Sequence, residues 1–382
     1  MTDPDPVYLD YNATTPVHDE VAAAMRPYFD KHFGNPSSGH VYGERADRAV
    51  EKAREQVAEL IGARPREVVF TSGGTESNNL ALRGAARGFT APGRIVTSTV
   101  EHPAVDATCD RLGHGGWDVA RVGVDGDGRL DTGAFEETLD EDTEIVSVMH
   151  ANNETGVVQP VERCAALADD VGAIVHTDAA QTVGKIPVDV DDLGIDLLTM
   201  AGHKLYAPKG IGALYVREGT PLEPILHGAS HERGLRPGTE PVPAIVGLGA
   251  ACALAKRDGA EAMRCVEQLR DRLWARLQEE IPGLVLNGQP AERLPNTLNV
   301  RFPDVRGDRL LEAATEVAAS TGSACHEGGE RRASEVVTAM GVDPDAALGS
   351  VRLTLGRQTT AEDVERAGES LCEAWRELRW AT

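Results

Sequence analysis

Apolar residues recur along the first two thirds of the chain in two patterns. Over residues 46–61 they are spaced three and four apart, which is typical of an amphipathic helix. Shorter apolar runs alternate with helical stretches such as 76–86 and 160–171, and their length and composition favour buried strands. The runs are 68–70, 94–97, 144–149, 173–176, 196–200 and 212–216. Buried strands that alternate with helices predict an α/β fold with a mainly parallel sheet, covered on both faces.

The pattern changes at a long helical stretch over about 243–280. It is followed by apolar runs at 284–286, 297–302, 310–314 and 351–355, and by a last helix over 361–379. This order is typical of a smaller α+β domain. We therefore expect a large α/β domain over residues 1–250 and a small α+β domain over 251–382, with the boundary inside the long helix. Residues 1–15 are expected to form an arm that packs on the small domain.

Charge narrows the range of partners. The 382 residues are 41% hydrophobic, which is enough for a sizeable core, and their formal net charge of −23 disfavours nucleic acid and membrane surfaces. Only six of the 38 basic residues are lysines, and a high-salt cytoplasm and GC-rich coding both explain that bias. The chain has no apolar run of 18 residues and no secretory signal pattern at its first residues, which predicts a cytoplasmic protein. Six cysteines without a CxxC pair argue against disulfides and zinc, and no metal site is predicted.

Polar residues that can take part in binding or catalysis follow the predicted strands. In open α/β sheets, ligands bind at the carboxyl ends of the strands. They are Ser72–Gly73–Gly74–Thr75, Glu101–His102, Asn152–Asn153–Glu154, Asp178, Gln181 and Gly202–His203–Lys204. The glycine turn opens a helix and offers backbone N–H groups to an anion, although taken alone a plain glycine turn is the better interpretation. Lys204 and Asp178 together suit pyridoxal phosphate, which needs a lysine for covalent attachment and a carboxylate for its ring nitrogen. Lys209 is the nearest competing lysine in the sequence.

One cysteine differs from the others. Cys325 lies among glycines and small residues and precedes His326, a setting that favours an exposed thiol with a lowered pKa. The other five are expected to be buried and inert: Cys109, Cys164, Cys252, Cys265 and Cys372. His102 is either a capping or core histidine or a catalytic one, and Arg352 is either a surface ion-pair partner or a clamp for a carboxylate.

Several segments in one order and spacing resemble cysteine desulfurases of the class V aminotransferase family. They are 8–16 (YLDYNATTP), 33–38 (FGNPSS), 70–79, 150–156, 202–204 (GHK), 234–239 and 322–325 (GSAC). The resemblance covers nearly the whole chain. It implies the type I fold of pyridoxal-phosphate-dependent transferases, a homodimer, and removal of sulfur from L-cysteine to give L-alanine and a cysteine persulfide.

The resemblance also implies roles for individual residues. The cofactor would be attached to Lys204 and held by Asp178 at its ring nitrogen, by Gln181 at its ring hydroxyl oxygen and by His102, which would stack on the ring and move protons. The remaining implied contacts are Gly74, Thr75 and His203 with the phosphate, Thr239 with the phosphate of the partner subunit, Asn153 with cofactor and substrate, and Arg352 and Asn35 with the substrate. Cys325 would accept the sulfur and pass it to an acceptor protein for iron–sulfur cluster assembly, tRNA thiolation or another sulfur modification.

Some positions depart from the family pattern and keep alternatives open. Ala201 stands where a serine often contacts the phosphate, Pro237 replaces a serine or alanine, and residues 326–332 are unusually charged. Cys325–His326 and residues 236–240 also resemble selenocysteine lyases, so that activity, or another lyase or aminotransferase reaction of the fold, is the alternative. A catalytically silent scaffold is disfavoured because Lys204, Asp178 and Cys325 are all present.

Overall fold

The structure, a computed structural model, describes residues 5–288, 292–321 and 333–380. In these ranges the strands are β1 (Val7–Tyr8), β2 (Val68–Thr71), β3 (Arg94–Ser98), β4 (Asp118–Val122), β5 (Thr143–Ser147), β6 (Ile174–Asp178), β7 (Leu197–Ala201), β8 (Gly212–Val216), β9 (Val285–Leu286), β10 (Thr297–Arg301), β11 (Val317–Ala318) and β12 (Ser350–Thr354). The helices are α1 (Asp19–Met25), α2 (Pro27–Asp30), α3 (Val41–Leu60), α4 (Gly74–Arg87), α5 (Pro103–Gly113), α6 (Thr132–Thr138), α7 (Val161–Asp169), α8 (Val242–Glu280), α9 (Gly307–Ala313), α10 (Glu335–Ala339), α11 (Pro344–Ala347) and α12 (Ala361–Trp380).

The large sheet has seven strands in the order β2-β8-β7-β6-β5-β3-β4. Strands β7, β6, β5, β3 and β4 pair in parallel, whereas β8 is antiparallel to both of its neighbours. The predicted α/β fold with a mainly parallel sheet is confirmed. Strand β4 lies at the edge and exposes part of its surface, which explains why its sequence, DVARV, carries no apolar run.

Successive residues of each central strand enter different cores, because side chains alternate across a sheet. Val96, Val146 and Leu198 pack in the cluster that contains α3 and the first half of α8. Their neighbours Ile95, Ile145 and Leu197 pack in a second cluster with α4 and α5. Both faces of the sheet are therefore covered, as the continuous apolar runs predict.

Helix α8 joins the two parts of the chain without interruption. Its first half buries Leu248 and Cys252 in the core of the large sheet. Its second half buries Leu273 and Leu277 against the antiparallel sheet β12-β10-β9 and helix α12. Residues 310–314, an apolar run in the sequence, lie mainly in α9. The division at residue 250 stays a prediction.

The N-terminal arm contacts the second sheet region before it reaches the large sheet. Strand β1 pairs in parallel with β11, and the Leu9 carbonyl accepts a hydrogen bond of 2.7 Å from the Thr354 N–H. The arm thus delivers Asn12 to the carboxyl ends of β6 and β7. Among the helices of the described residues, none combines the length and apolar character that crossing a membrane requires.

Candidate active site

A cavity of about 250 Å³ opens at the carboxyl ends of β6 and β7. Nine of the residues predicted from the sequence line it together: Gly74, Thr75, His102, Asn153, Asp178, Gln181, His203, Lys204 and Arg352. Two others, Asn35 and Thr239, line a different cavity, and Cys325 lies outside the described residues. The large sheet and β12 of the second sheet together gather predicted residues that are up to 278 positions apart in sequence, from Gly74 to Arg352.

The N-terminus of α4 forms one wall of the cavity. Gly73, the N-cap residue, has φ +145°, a backbone conformation that side chains rarely permit. The N–H groups of the first helical turn have no partner within the helix and are available to an anion. A Cβ atom at Gly74 would lie 3.4 Å from the Ala201 Cβ, so the glycine keeps this wall open. We call this helix N-terminus the phosphate cradle, because its geometry suits an anion; that it binds a phosphate stays a prediction.

Lys204 lies in the short 3₁₀ turn directly after β7. Its Nζ donates to the Ala13 carbonyl at 2.9 Å and also to the Asn12 carbonyl. Burial lowers the pKa of Lys204 to about 8, and the positive charge of Arg352 contributes in the same direction. Near neutral pH an appreciable fraction of this amine is uncharged, which covalent attachment to an aldehyde requires.

Asp178 ends β6 and is buried. Its Oδ2 accepts a hydrogen bond of 2.7 Å from the Asn78 Nδ2, and its Oδ1 accepts from the Ala180 N–H at 3.0 Å. The Oδ1 atom of Asn78 is buried and has no hydrogen-bond partner. Asn78 therefore holds the carboxylate in place, and the pair lacks a donor that a bound molecule could supply.

Two histidines face the same space. His102 caps α5, where its Nδ1 accepts from the Ala104 N–H at 3.1 Å, so a neutral ring carries its proton on Nε2. Burial lowers the pKa of His102, against the opposing effect of the Asp178 carboxylate. Burial also lowers the pKa of His203, to about 4, and His203 Nδ1 lies 3.2 Å from the Thr14 hydroxyl. Both rings are therefore neutral at physiological pH.

Glu101 is a half-buried acid that contacts the cavity wall. Burial raises the pKa of Glu101 to about 8, and its Oε1 accepts from the Ser98 hydroxyl at 2.6 Å and from the Met149 N–H at 2.9 Å. Met149 lines the cavity and His102 follows Glu101 directly in sequence. Glu101 therefore connects the Ser98 side chain at the end of β3 to the backbone of Met149 in the cavity wall.

Arg352 extends from β12 into the cavity from the second sheet. It donates to the Asp10 carboxylate at 2.7 Å and to the Asn153 carbonyl at 3.2 Å, while its buried Nε has no partner. The carboxylate neutralises much of its charge, and the free N–H can bind another anion. Arg352 is thus buried in an ion pair and is not the surface ion-pair partner considered from the sequence, whereas its role as a clamp for a carboxylate stays a prediction.

Sequence reasoning missed the centre of the hydrogen-bond network, which is Asn12. Its backbone carbonyl accepts from Lys204 and from the Gln181 Nε2 at 3.0 Å. Its Oδ1 accepts from Lys185 Nζ and from the Asn296 Nδ2, both at 3.0 Å. Asn12 stands in the segment 8–16 that carries the family resemblance, but long-range contacts of this kind leave no local pattern in the sequence.

Two expectations about reactive side chains are wrong. Cys265 is exposed on α8 and is not buried as expected, because its position on the helix faces solvent, while Cys109, Cys164, Cys252 and Cys372 are buried. Lys209, expected to be the competitor of Lys204, is exposed, whereas Lys185 shares Asn12 with Lys204.

Asn35 and Thr239 are exposed on a separate face. The Asn35 Oδ1 accepts from the Ser37 N–H at 3.0 Å and so stabilises a turn. Thr239 ends a segment that is attached to the cradle through Arg236, whose Nε donates to Glu76 on α4 at 2.9 Å. Within one chain the structure does not bring either residue to the cavity that contains Lys204.

Comparisons with known proteins agree on one family. A family model described as aminotransferase class V matches residues 7–367. The chain is similar to the cysteine desulfurase IscS of Anaeromyxobacter sp. (strain Fw109-5), with 46% identity over 378 residues, 98% of this chain and 93% of that protein. Its fold is similar to that of a NifS-like protein, with a TM-score of 0.90 and 38% identity over 98% of this chain and 100% of that chain. It is also similar to SspA in complex with cysteine, with a TM-score of 0.81 and 37% identity over 92% of this chain and 99% of that chain.

Proposed function

The chain belongs to the class V aminotransferase family, and from that premise we propose that it is a cysteine desulfurase that uses pyridoxal phosphate. The observation that carries the proposal is the amine of Lys204, with its pKa lowered to about 8, in one cavity with Asp178 and the N-terminus of α4. The similar chain SspA, which was solved in complex with cysteine, supports the choice of substrate.

The residues present fit the cofactor. The cradle at Gly74 offers N–H groups to a phosphate, and the amine of Lys204 suits covalent attachment of an aldehyde. The Asp178 carboxylate suits a protonated ring nitrogen, and the buried Asn78 Oδ1 beside it lacks a donor. When bound, pyridoxal phosphate acts as an electron sink that weakens bonds to the carbons of the amino acid.

The protein's own groups would then divide the work. Arg352, with a buried N–H that has no partner, would bind the carboxylate of L-cysteine and orient it. Lys204 would hold the cofactor until the substrate amine displaces it, and the pKa of about 8 lets the released Lys204 amine lose and regain a proton near neutral pH. His102 would move a proton through its Nε2, since its Nδ1 is occupied by the Ala104 N–H.

The sulfur step would use Cys325. Its thiolate would form an S–S bond with the sulfur of the substrate while the C–S bond of the substrate breaks. The carbon would take up a proton, so that L-alanine leaves and a persulfide stays on the protein. Thiol reductant or an acceptor protein would then take the outer sulfur; the acceptor for iron–sulfur cluster assembly, tRNA thiolation or another modification stays a prediction, as does the cytoplasmic location.

The proposal includes a homodimer. Phe29, Phe33, Val41 and Tyr42 are large apolar residues that are exposed on one chain, with Phe33 67% exposed. They adjoin the cavity that holds Asn35 and Thr239, and such a patch favours a protein interface. A second copy on this face would bring Thr239 to the phosphate cradle of its partner.

The test is a product balance. Purified protein incubated with L-cysteine should form L-alanine, retain about one sulfur per chain without reductant, and release sulfide continuously with reductant. Lys204→Ala should form neither product, whereas Lys209→Ala, at an exposed lysine, should match the wild type. Absence of L-alanine from the wild type would overturn the proposal.

A further inference from the structure

Lys185 lies four residues after Gln181 and takes no part in the functions assigned above. Its Nζ donates to the Gln181 Oε1 at 2.7 Å and to the Asn12 Oδ1 at 3.0 Å. Lys185 is half-buried, and desolvation of its amine lowers the pKa of Lys185 well below its usual range, with further lowering by the charges of Lys204 and Arg352. Desolvation of a lysine amine costs free energy unless hydrogen bonds compensate for it, and Gln181 and Asn12 supply those hydrogen bonds.

The contacts of Lys185 fix the orientation of the Gln181 side-chain amide, with Oε1 towards Lys185. An ammonium group has three N–H donors and a neutral amine has two, so either form can supply both hydrogen bonds. With Oε1 held by Lys185, the amide directs its Nε2 to the opposite side, where it donates to the Asn12 carbonyl at 3.0 Å. Gln181 lines the cavity, so the amide offers the cavity a donor and not an acceptor.

The Asn12 carbonyl currently receives two donors, Gln181 Nε2 and Lys204 Nζ. Lys204 must turn away from this carbonyl when its amine is used, and a negatively charged oxygen in the cavity would then compete for the Gln181 donor. Hydrogen bonds to charged acceptors are stronger than those to neutral carbonyls. A donor fixed in advance would stabilise such an oxygen without any cost of reorienting the amide.

We propose that Lys185 is a positioning residue that holds the Gln181 amide with its N–H towards the cavity, where it stabilises the negatively charged ring oxygen of the bound cofactor. The inference rests on the proposed function, since pyridoxal phosphate supplies that oxygen. Asn12 completes the device because its Nδ2 is fixed by Thr297 at 2.9 Å, which keeps its Oδ1 available to Lys185.

The test uses the visible absorption band of the resting holoenzyme, recorded against pH before any substrate is added. Loss of the donor makes the ring oxygen a better base, so Lys185→Met should raise the pH midpoint of the band by about one unit, or ~1.4 kcal/mol. The other charged and titratable groups that face Lys204 are unchanged in this variant; they are Arg352, Asp178, Asp10, His102 and His203. Lys185→Arg, which retains donors, should stay near the wild-type midpoint.

A double substitution separates positioning from simple charge. Gln181→Ala alone should raise the midpoint, and addition of Lys185→Met should add nothing, because Lys185 acts through the amide. A full second shift in the double variant would overturn the inference. If Lys185→Met does not fold, Gln181→Glu retains a partner for Lys185 but presents no donor, and an unchanged midpoint in that variant would overturn it equally.

The outcomes for the two proposals differ. A wild-type protein that binds no pyridoxal phosphate at Lys204 contradicts the proposed function. A wild type with a normal band, together with a Lys185→Met variant whose midpoint is identical, leaves the proposed function intact and refutes the role of Lys185.

Discussion

Replacement of Glu232 by alanine tests whether a buried ion pair holds the segment that carries Arg236 and Thr239. Glu232 accepts two hydrogen bonds of 2.8 Å from the Arg54 guanidinium and a third of 2.8 Å from the Phe70 N–H. Its side chain is 2% exposed and that of Arg54 is 7% exposed. The pair connects the segment to α3 and to β2, the strand that leads into the phosphate cradle.

The expected loss of stability follows from the charge that remains. Without Glu232, Arg54 keeps the Val68 carbonyl at 2.9 Å, the face of the Phe70 ring and an ion pair of 3.0 Å with Glu51, whose side chain is 54% exposed, but no buried carboxylate opposes its charge. Removal of one partner of a buried pair costs about 3–5 kcal/mol. The Phe70 N–H loses its acceptor as well. The free-energy cost of this loss is not simply added to that of the broken ion pair, because both contacts are made by the same carboxylate. We therefore expect the free energy of unfolding to fall by about 3–5 kcal/mol.

The assay is urea unfolding of the cofactor-free protein, with a matched surface variant as control. Glu218 pairs with Arg64 at 3.0 Å, but its side chain is 56% exposed, so Glu218→Ala should cost at most about 1 kcal/mol. Glu232→Gln should fall between the two, because the amide oxygen can still accept from Phe70 while the charge is lost. Equal midpoints for Glu232→Ala and Glu218→Ala, with equal slopes, would refute the reasoning.

Three further predictions concern the site itself. Acylation of Lys204 in the cofactor-free protein should accelerate as the pH rises through about 8, since burial lowers its pKa; a midpoint near 10.5 in residue-resolved mass spectra would contradict this. Cys325→Ser should leave cofactor binding intact but prevent persulfide formation, and because Cys265 is exposed, intact-mass analysis should be made in a Cys265→Ser background; a gain of one sulfur in the Cys325→Ser protein would be the opposing result. Thr239→Ala homodimers should bind cofactor about 10–100-fold more weakly through loss of a hydrogen bond to phosphate. In a heterodimer of one Thr239→Ala chain and one Lys204→Ala chain, the pocket that keeps Lys204 receives Thr239 from the partner chain and should regain wild-type affinity. Equally weak binding in that pocket would place Thr239 in the site of its own subunit.

The parts of the site that the sequence predicts are those set by strand ends. Lys204 and Asp178 each follow a buried apolar run directly, and parallel strands bring their carboxyl ends to one edge, so proximity follows from topology alone. Helix positions are predictable for a different reason, because burial of one helix face imposes a period of three to four residues on the apolar positions. The edge strand β4 was not predicted, because its exposed residues interrupt the apolar run that marks a buried strand.

The contacts that could not be predicted depend on tertiary geometry. Asn12 joins Lys204, Gln181 and Lys185 only because the arm crosses to the large sheet, and no local spacing encodes this. The exposure of Cys265 depends on the face of α8 that remains uncovered after the second core has formed. Both outcomes reflect packing between distant segments, which local propensity does not determine.

The connection of Asn12 to β12 has a consequence for the order of events during synthesis. Asn12 N–H donates to the Thr354 hydroxyl at 3.0 Å, across 342 positions of the chain. Translation adds about 5–20 residues per second, so roughly 20–70 s separate the appearance of the two residues. Until β12 emerges from the ribosome, Leu9 and Tyr11 lack their partner Thr354, whereas Thr15 can already contact His203 and Gln181 can already hold the Asn12 carbonyl. The newborn large domain therefore has the Lys204 side of the cavity before it has Arg352, and cofactor captured in that interval would meet a site still open on the side that β12 later closes.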